Sequence, residues 1–259
     1  MTRVILVSSG KGGSGKTTLT SNLAASLAVL GKDVIAIDAN LTTPNLGMHV
    51  GMHMAPKTLH HVLRGEARVR EATYPHPLGF KVMPGSMNVD ELKNVDVSRL
   101  SEVTVNLIGK TDFVLLDCAA GLGREAVSAI DASDEMLVVT NPEMPSVVDA
   151  LKAVDLAKRK DKKILGVVVN RKKNRWYELP NHKIEDLIGA PVVAEIPEDV
   201  EVQQSIYMKK PLVSMNPDSP AAVEVRRLAH WLIGKPFIYE RPEEDHPTLI
   251  HRLASWLNG

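Results

Sequence analysis

The segment Gly10-Lys11-Gly12-Gly13-Ser14-Gly15-Lys16-Thr17 constrains the chain more than any other because of its setting. It follows the short apolar run Val4 to Val7 and opens a helical pattern, Leu19-Leu23-Leu27-Leu30, which Gly31 ends. A strand, a glycine-rich turn and a helix in that order aim backbone N–H groups at an anion, with the positive end of the helix dipole behind them. The spacing G-x-x-x-x-G-K-T is that of a phosphate-binding loop. Gly12, Gly13, Ser14 and Gly15 are expected to cradle phosphate, Lys16 to reach the β- and γ-phosphates, and Thr17 to ligate Mg²⁺. The partner of Thr17 at the metal should be an aspartate at the end of a neighbouring strand. Asp117 ends the run Phe113-Val114-Leu115-Leu116.

Further short apolar runs occur at Val34 to Ile37, Met136 to Val139, Ile164 to Val169 and Val192 to Ile196. Helical patterns lie between most of them, such as Val147-Leu151-Val154-Ala157. Runs that are apolar throughout, rather than alternating, are strands covered on both faces. The expectation is an α/β fold, a doubly wound and mostly parallel sheet with helices on both faces, as in P-loop NTPases. With 259 residues, 44% of them apolar, the chain can bury one large core. The helix from Ala221 to Ile233 should close this domain, residues 1–239. Residues 240–247, acidic and holding two prolines, read as a linker, and 248–259 as a C-terminal amphipathic helix.

Charge and cysteine content narrow the setting. The 31 basic and 31 acidic residues cancel, so no global field steers the chain to nucleic acid or anionic membrane. A single cysteine, Cys118, leaves no intrachain disulfide, and no leader-like segment precedes Val4, so a cytoplasmic location is expected. No apolar run approaches the ~18 residues of a membrane span. GTP-binding P-loop proteins read guanine with N-K-x-D after a late strand. Here Asn170-Arg171-Lys172-Lys173 stands there, and Lys173 offers guanine no acceptor. Adenine is favoured, hence ATP with Mg²⁺.

Lysine directly after the first loop glycine, in Lys11-Gly12-Gly13-Ser14-Gly15-Lys16-Thr17-Thr18, resembles the deviant Walker A motif of the MinD/ParA ATPases. Ile37-Asp38-Ala39-Asn40 to Asn45-Leu46 resembles the family's switch I, and Asp117-Cys118-Ala119-Ala120-Gly121-Leu122 its switch II. Val139-Thr140-Asn141-Pro142-Glu143, Val169-Asn170-Arg171 and Ile196-Pro197-Glu198-Asp199 resemble the MinD branch in particular. The resemblance implies an ATP-dependent homodimer in which Lys11 reaches the partner's phosphates. It also implies that Thr18 joins the phosphate loop, Asp38 serves the Mg²⁺ region or the attacking water, and Gly121 donates its N–H to the γ-phosphate. Asn170 and Arg171, with Pro197 and Asp199, are implied at the base.

Two departures stand out. Asn40 occupies the place of the family's second switch I aspartate, and an amide orients water without accepting its proton, so hydrolysis is expected to be slow. Ala119 replaces the usual switch II proline. His49 and His53, with His60 and His61 nearby, could be arranged for a metal, but no carboxylate joins them and an interface is favoured. Arg171-Lys172-Lys173-Asn174-Arg175-Trp176-Tyr177 is a basic loop with aromatics, a candidate for phosphate backbone or lipid headgroups. In the tail, Leu249, Ile250, Leu253, Trp256 and Leu257 fall within an arc of about 120° at ~100° per residue, the pattern of a surface anchor.

The sequence thus leads to a MinD-like ATPase, cycling from the cytoplasm to the inner face of the cell membrane. It would bind membrane through the tail as an ATP-bound dimer and position an unidentified protein partner or a structure such as the division site. The alternatives are a ParA-like ATPase that partitions DNA, which neutral charge disfavours, and an ATP-gated membrane scaffold that barely hydrolyses.

Overall fold

The computed structural model describes residues 1–93 and 95–239. The linker and the amphipathic tail expected from the sequence lie outside the described residues. Eight strands form one sheet: β1 (Arg3–Ser8), β2 (Val34–Ala39), β3 (Tyr74–Pro75), β4 (Lys81–Met83), β5 (Phe113–Cys118), β6 (Glu135–Thr140), β7 (Lys163–Lys172) and β8 (Val192–Pro197). Their spatial order is β3-β4-β2-β5-β1-β6-β7-β8, parallel except for the β3–β4 pair. All six apolar runs read from the sequence are strands of this sheet.

The covering helices are α1 (Lys16–Val29), α2 (Leu46–His49), α3 (Leu59–Leu63), α4 (Leu100–Val105), α5 (Arg124–Asp131), α6 (Met144–Arg159), α7 (Asn181–Ile188), α8 (Val200–Tyr207), α9 (Leu212–Met215) and α10 (Pro220–Leu232). Successive side chains of a strand point to opposite faces, so one strand feeds two cores. In β1, Val4 and Leu6 pack with residues of α3 to α7, while Ile5 and Val7 pack with α1, α2, α9 and α10. This two-sided burial makes the strands apolar throughout. None of the described helices is long and apolar enough to cross a membrane.

The chain builds outward from β1 first to one side of the sheet and then, after β5, to the other. A crevice therefore opens at the carboxyl ends of the central strands, where sheets of this kind hold their ligands. Cα partners across the sheet are Val7 with Asp117 and Asp38 with Asp117. Register alone brings the two aspartates of the expected site level with each other at the end of β1.

Candidate nucleotide site

The loop between β1 and α1 is shaped by close approaches that only glycine permits. A Cβ at Gly10 would lie 2.0 Å from the backbone carbon of Asp149 in α6, and one at Gly15 would lie 2.1 Å from Asn170 Nδ2. Gly15 also takes φ 100, in the left-handed region, as the residue capping α1. The contact with Asn170 is a bond as well as a limit: its Nδ2 donates to the Ser14 carbonyl at 2.7 Å. In turn Asn141 Nδ2 donates to the Asn170 carbonyl at 3.1 Å. The loop is thus fixed from the ends of β6 and β7.

Lys16 is buried and its ammonium donates to Ser9 Oγ at 2.8 Å, while the Ser9 hydroxyl donates to the Lys11 carbonyl at 2.8 Å. Burial lowers the Lys16 pKa, and the neighbouring Asp117 and Cys118 act the other way. Asp117 is fully buried, and neither carboxylate oxygen has a hydrogen-bond partner among the described residues. Burial pushes its pKa up to about 6, against the pull of the nearby Thr17 hydroxyl and Lys16 ammonium. Ser14 Oγ is likewise buried without a partner. Buried polar atoms are normally paired, so orphaned carboxylate oxygens beside a threonine hydroxyl at a helix amino end mark a place prepared for a cation and an anion together. These donors suit Mg²⁺, which favours carboxylate, hydroxyl and phosphate oxygens.

Asp38 is used differently. Its Oδ2 accepts the Leu46 N–H at 2.9 Å and its Oδ1 the Asn40 N–H at 3.3 Å, closing the loop between β2 and α2. Burial and the charge of Asp117 raise its pKa well above the ordinary carboxylate value, with these backbone donors opposing. Asn40 does not face the phosphate loop with a free amide: Nδ2 donates to the Thr43 carbonyl at 2.6 Å, and the Thr43 hydroxyl donates to Asn40 Oδ1 at 3.1 Å. Lys11 is exposed at the mouth, and Gly121 has φ 80 in the loop after β5.

Two residues that sequence reasoning did not assign to this site hold the Asn40 loop. Glu125 of α5 accepts the Leu41 N–H at 3.0 Å, the Thr42 N–H at 3.1 Å and the Thr42 hydroxyl. His60 is buried, with Nδ1 accepting the Ser86 N–H at 3.0 Å, which leaves Nε2–H to donate to the Leu41 carbonyl at 3.1 Å. No group of three or more potential metal ligands of the His, Cys, Asp or Glu type occurs among the described residues. His49 ends α2 and His53 lies beyond it, so the two do not share a helical face.

Beside the phosphate loop, a pocket is lined by Thr18, Asn170, Arg171, Pro197 and Asp199 together with Ile196 and Leu212. Asn170, Arg171, Pro197 and Asp199 are thereby brought together as the sequence implied. Asp199, however, has both oxygens engaged: Oδ1 accepts the Glu201 N–H at 2.9 Å and Oδ2 the Ala221 N–H at 3.2 Å, capping α8 and bracing α10. Its carboxylate thus lines the pocket while holding two helices, one oxygen on each.

Comparison with known proteins places this site in a lineage. The family model described as the CobQ/CobB/MinD/ParA nucleotide binding domain matches residues 5–212. An uncharacterised ATP-binding protein of Methanocaldococcus jannaschii is 39% identical over 234 residues, covering 90% of this chain and 89% of its own. The septum site-determining protein MinD of Synechocystis is 31% identical over 250 residues, with 92% of each chain covered. Among solved structures, MinD of Pyrococcus horikoshii complexed with Mg-ADP superposes with a TM-score of 0.87 at 36% identity, covering 90% of this chain and 96% of that one. MinD in the MinC:MinD complex of Aquifex aeolicus gives 0.82 at 30% identity, covering 92% and 98%.

Proposed function

The chain belongs to the CobQ/CobB/MinD/ParA nucleotide-binding family, and on that premise we propose that it is an ATP-driven switch of the MinD kind, dimeric with ATP and monomeric with ADP. The observation that carries this reading is a buried Asp117 carboxylate without a hydrogen-bond partner among the described residues, near the buried Lys16 ammonium of the phosphate loop. Thr17 and Asp117 would hold Mg²⁺, which supplies charge neutralisation between the phosphates. Lys16 would exchange its bond to Ser9 for one to phosphate oxygen. Gly12 to Thr18 would present backbone N–H groups, Gly121 would add another at the γ-phosphate, and the pocket lined by Asn170, Arg171 and Pro197 would take adenine.

Lys11 has the position of a group that acts in trans. It stands exposed at the mouth, and its carbonyl is fixed by Ser9. Two triphosphates brought face to face repel each other, and a lysine from each partner offsets that repulsion only when both nucleotides are present. Leu122, Met144 and Val148, all exposed on the elements around the mouth, would supply apolar contact. The amphipathic tail would then place the dimer on membrane, and a protein partner would bind it there; the Aquifex relative forms a complex with MinC. Turnover would be slow, because the Asn40 amide is folded onto Thr43 and carries no carboxylate.

Light scattering at saturating nucleotide tests the switch: a doubled mass in ATP with Mg²⁺, absent in ADP and in Lys11→Ala, is expected. Equal mass in ATP and ADP refutes the dimer. Vesicle co-sedimentation of the full chain and of a chain ending at Tyr239 tests the anchor, and undiminished binding after truncation rules it out.

A further inference from the structure

β7 continues past the sheet into a turn that holds two aromatic rings in water. Trp176 is 94% exposed and Tyr177 65%, their ring centroids 5.6 Å apart in an edge-on arrangement. The turn is built, since the Glu178 carboxylate accepts the Lys173 N–H at 2.9 Å and the Arg175 N–H at 3.2 Å, and the Glu178 N–H donates to the Arg175 carbonyl at 3.0 Å. The Leu179 N–H then ties the turn to the Pro142 carbonyl at 2.9 Å. Asn174 adopts φ 55 in this turn, a left-handed conformation that asparagine accepts more readily than most non-glycine residues. Among the described residues the indole meets the edge of the neighbouring Tyr177 ring and is otherwise left to solvent, while the surrounding backbone is hydrogen-bonded in the shape that presents it.

We propose that the Lys173–Tyr177 turn is a second membrane-contact element, inserting Trp176 at the headgroup level of an anionic lipid surface beside the C-terminal tail. This rests on the membrane reading given above and adds a site to it. Three observations favour lipid. An indole with one polar N–H on an apolar body suits the interface between water and acyl chains. Lys173 and Arg175 flank it, exposed and without ion-pair partners among the described residues, while Arg171 and Lys172 lie against Glu198 and Glu195. Finally, Tyr239 lines a groove together with Lys172, Asn174 and Pro197, so the chain departs for linker and tail next to this turn.

The departure point also gives the cations a purpose. Glu240, Glu243, Glu244 and Asp245 follow at once, with only Arg241 and His246 among them. An anionic surface repels that linker, and the tail supplies only Arg252 and His251 against it. Lys173 and Arg175 restore positive charge where the chain must approach the headgroups. A basic turn with aromatics also suits single-stranded nucleic acid, and neutral net charge steers the chain to neither partner; the exposed indole and the departure of the chain toward its amphipathic tail beside this turn favour lipid.

The test uses the full chain with ATP and Mg²⁺ on vesicles of phosphatidylcholine with phosphatidylserine, comparing Trp176→Ser and Lys173→Gln/Arg175→Gln with the unmodified protein. Each variant should keep its dimer mass and lose vesicle affinity, the double variant by roughly tenfold or more at low salt. In Trp231→Phe/Trp256→Phe, where Trp176 is the only indole, emission should shift to the blue on vesicles and be quenched by acyl-brominated lipid. Unchanged affinity together with solvent-like emission, while the unmodified chain binds, overturns the turn and leaves the tail as sole anchor. Absence of vesicle binding by the unmodified chain in every nucleotide state refutes the membrane reading and this element with it. Loss of DNA retention rather than vesicle binding in the same variants overturns lipid in favour of nucleic acid.

Discussion

Asp117 and Asp38 face each other from neighbouring strands, both fully buried, with the charge of Asp117 adding to the cost of ionising Asp38. In the protein without nucleotide or metal this is a liability, and its sign follows from the shift. A carboxyl whose folded pKa rises from 3.8 to about 6 favours folding at acid pH and loses that contribution as pH rises through about 6. Asp117→Asn should therefore raise the metal-free thermal midpoint at about pH 7.5, with the gain shrinking toward pH 5. Thermal melts in EDTA at the two pH values check this, and the same variant should lose the Mg²⁺ dependence of nucleotide affinity. A lower midpoint at neutral pH would mean that the carboxylate is already compensated. Asn40 poses a different question, since its amide serves as donor and acceptor to Thr43. Asn40→Asp loses the donor and sets a carboxylate near the Thr43 carbonyl, which should cost about 1 kcal/mol of loop stability. The freed carboxylate should raise the ATPase rate in a steady-state assay, and an unchanged rate with dimerisation intact would assign water positioning to another group.

At the scale of elements, the loop between β2 and α2 is linked to α5, the helix that follows the loop after β5. Glu125 makes that link with three acceptor bonds. A movement of either loop therefore displaces the other. Glu125→Ala should cost about 1–3 kcal/mol of stability, speed hydrogen exchange at Leu41 and Thr42, and change ATP turnover more than ATP affinity. Slow exchange retained at those amides in the variant would show that His60 holds the loop alone. This link was not legible in the sequence, because a carboxylate 84 residues from the Leu41 N–H leaves no local pattern. The strands were legible for the opposite reason, their two-sided burial being written into every residue of runs such as Phe113 to Leu116. The missed strands are β3, two residues with Pro75 among them, and β4, three residues beginning with Lys81. Such short edge pieces carry no period to read. The phosphate loop was legible because its chemistry is consecutive, whereas the use of Asp38 as a loop closure and Asp199 as a helix cap depends on backbone donors that only the fold brings near.

For the whole molecule, location should follow from counting anchors. A single short amphipathic segment gains free energy by burying its apolar face, and folding it on the surface offsets part of that gain. One tail, with the Trp176 turn as the proposed second contact, should hold a monomer on lipid only weakly. The proposed dimerisation through the phosphate mouth would link two such sets, and linked sites raise apparent affinity by ~10²-fold or more with no new contact. Lys11→Ala should therefore reduce ATP-dependent vesicle binding of the full chain by about that factor, although Lys11 touches no lipid in this scheme. Because two chains must meet, binding of the unmodified protein should rise more steeply than linearly with its concentration near the dimer dissociation constant, and Lys11→Ala should bind linearly. Co-sedimentation across a protein titration, with mass in solution followed by light scattering, separates the two cases. Linear binding by the unmodified chain, at concentrations where its mass doubles, would show that nucleotide acts on the anchor directly and not through the number of anchors per particle.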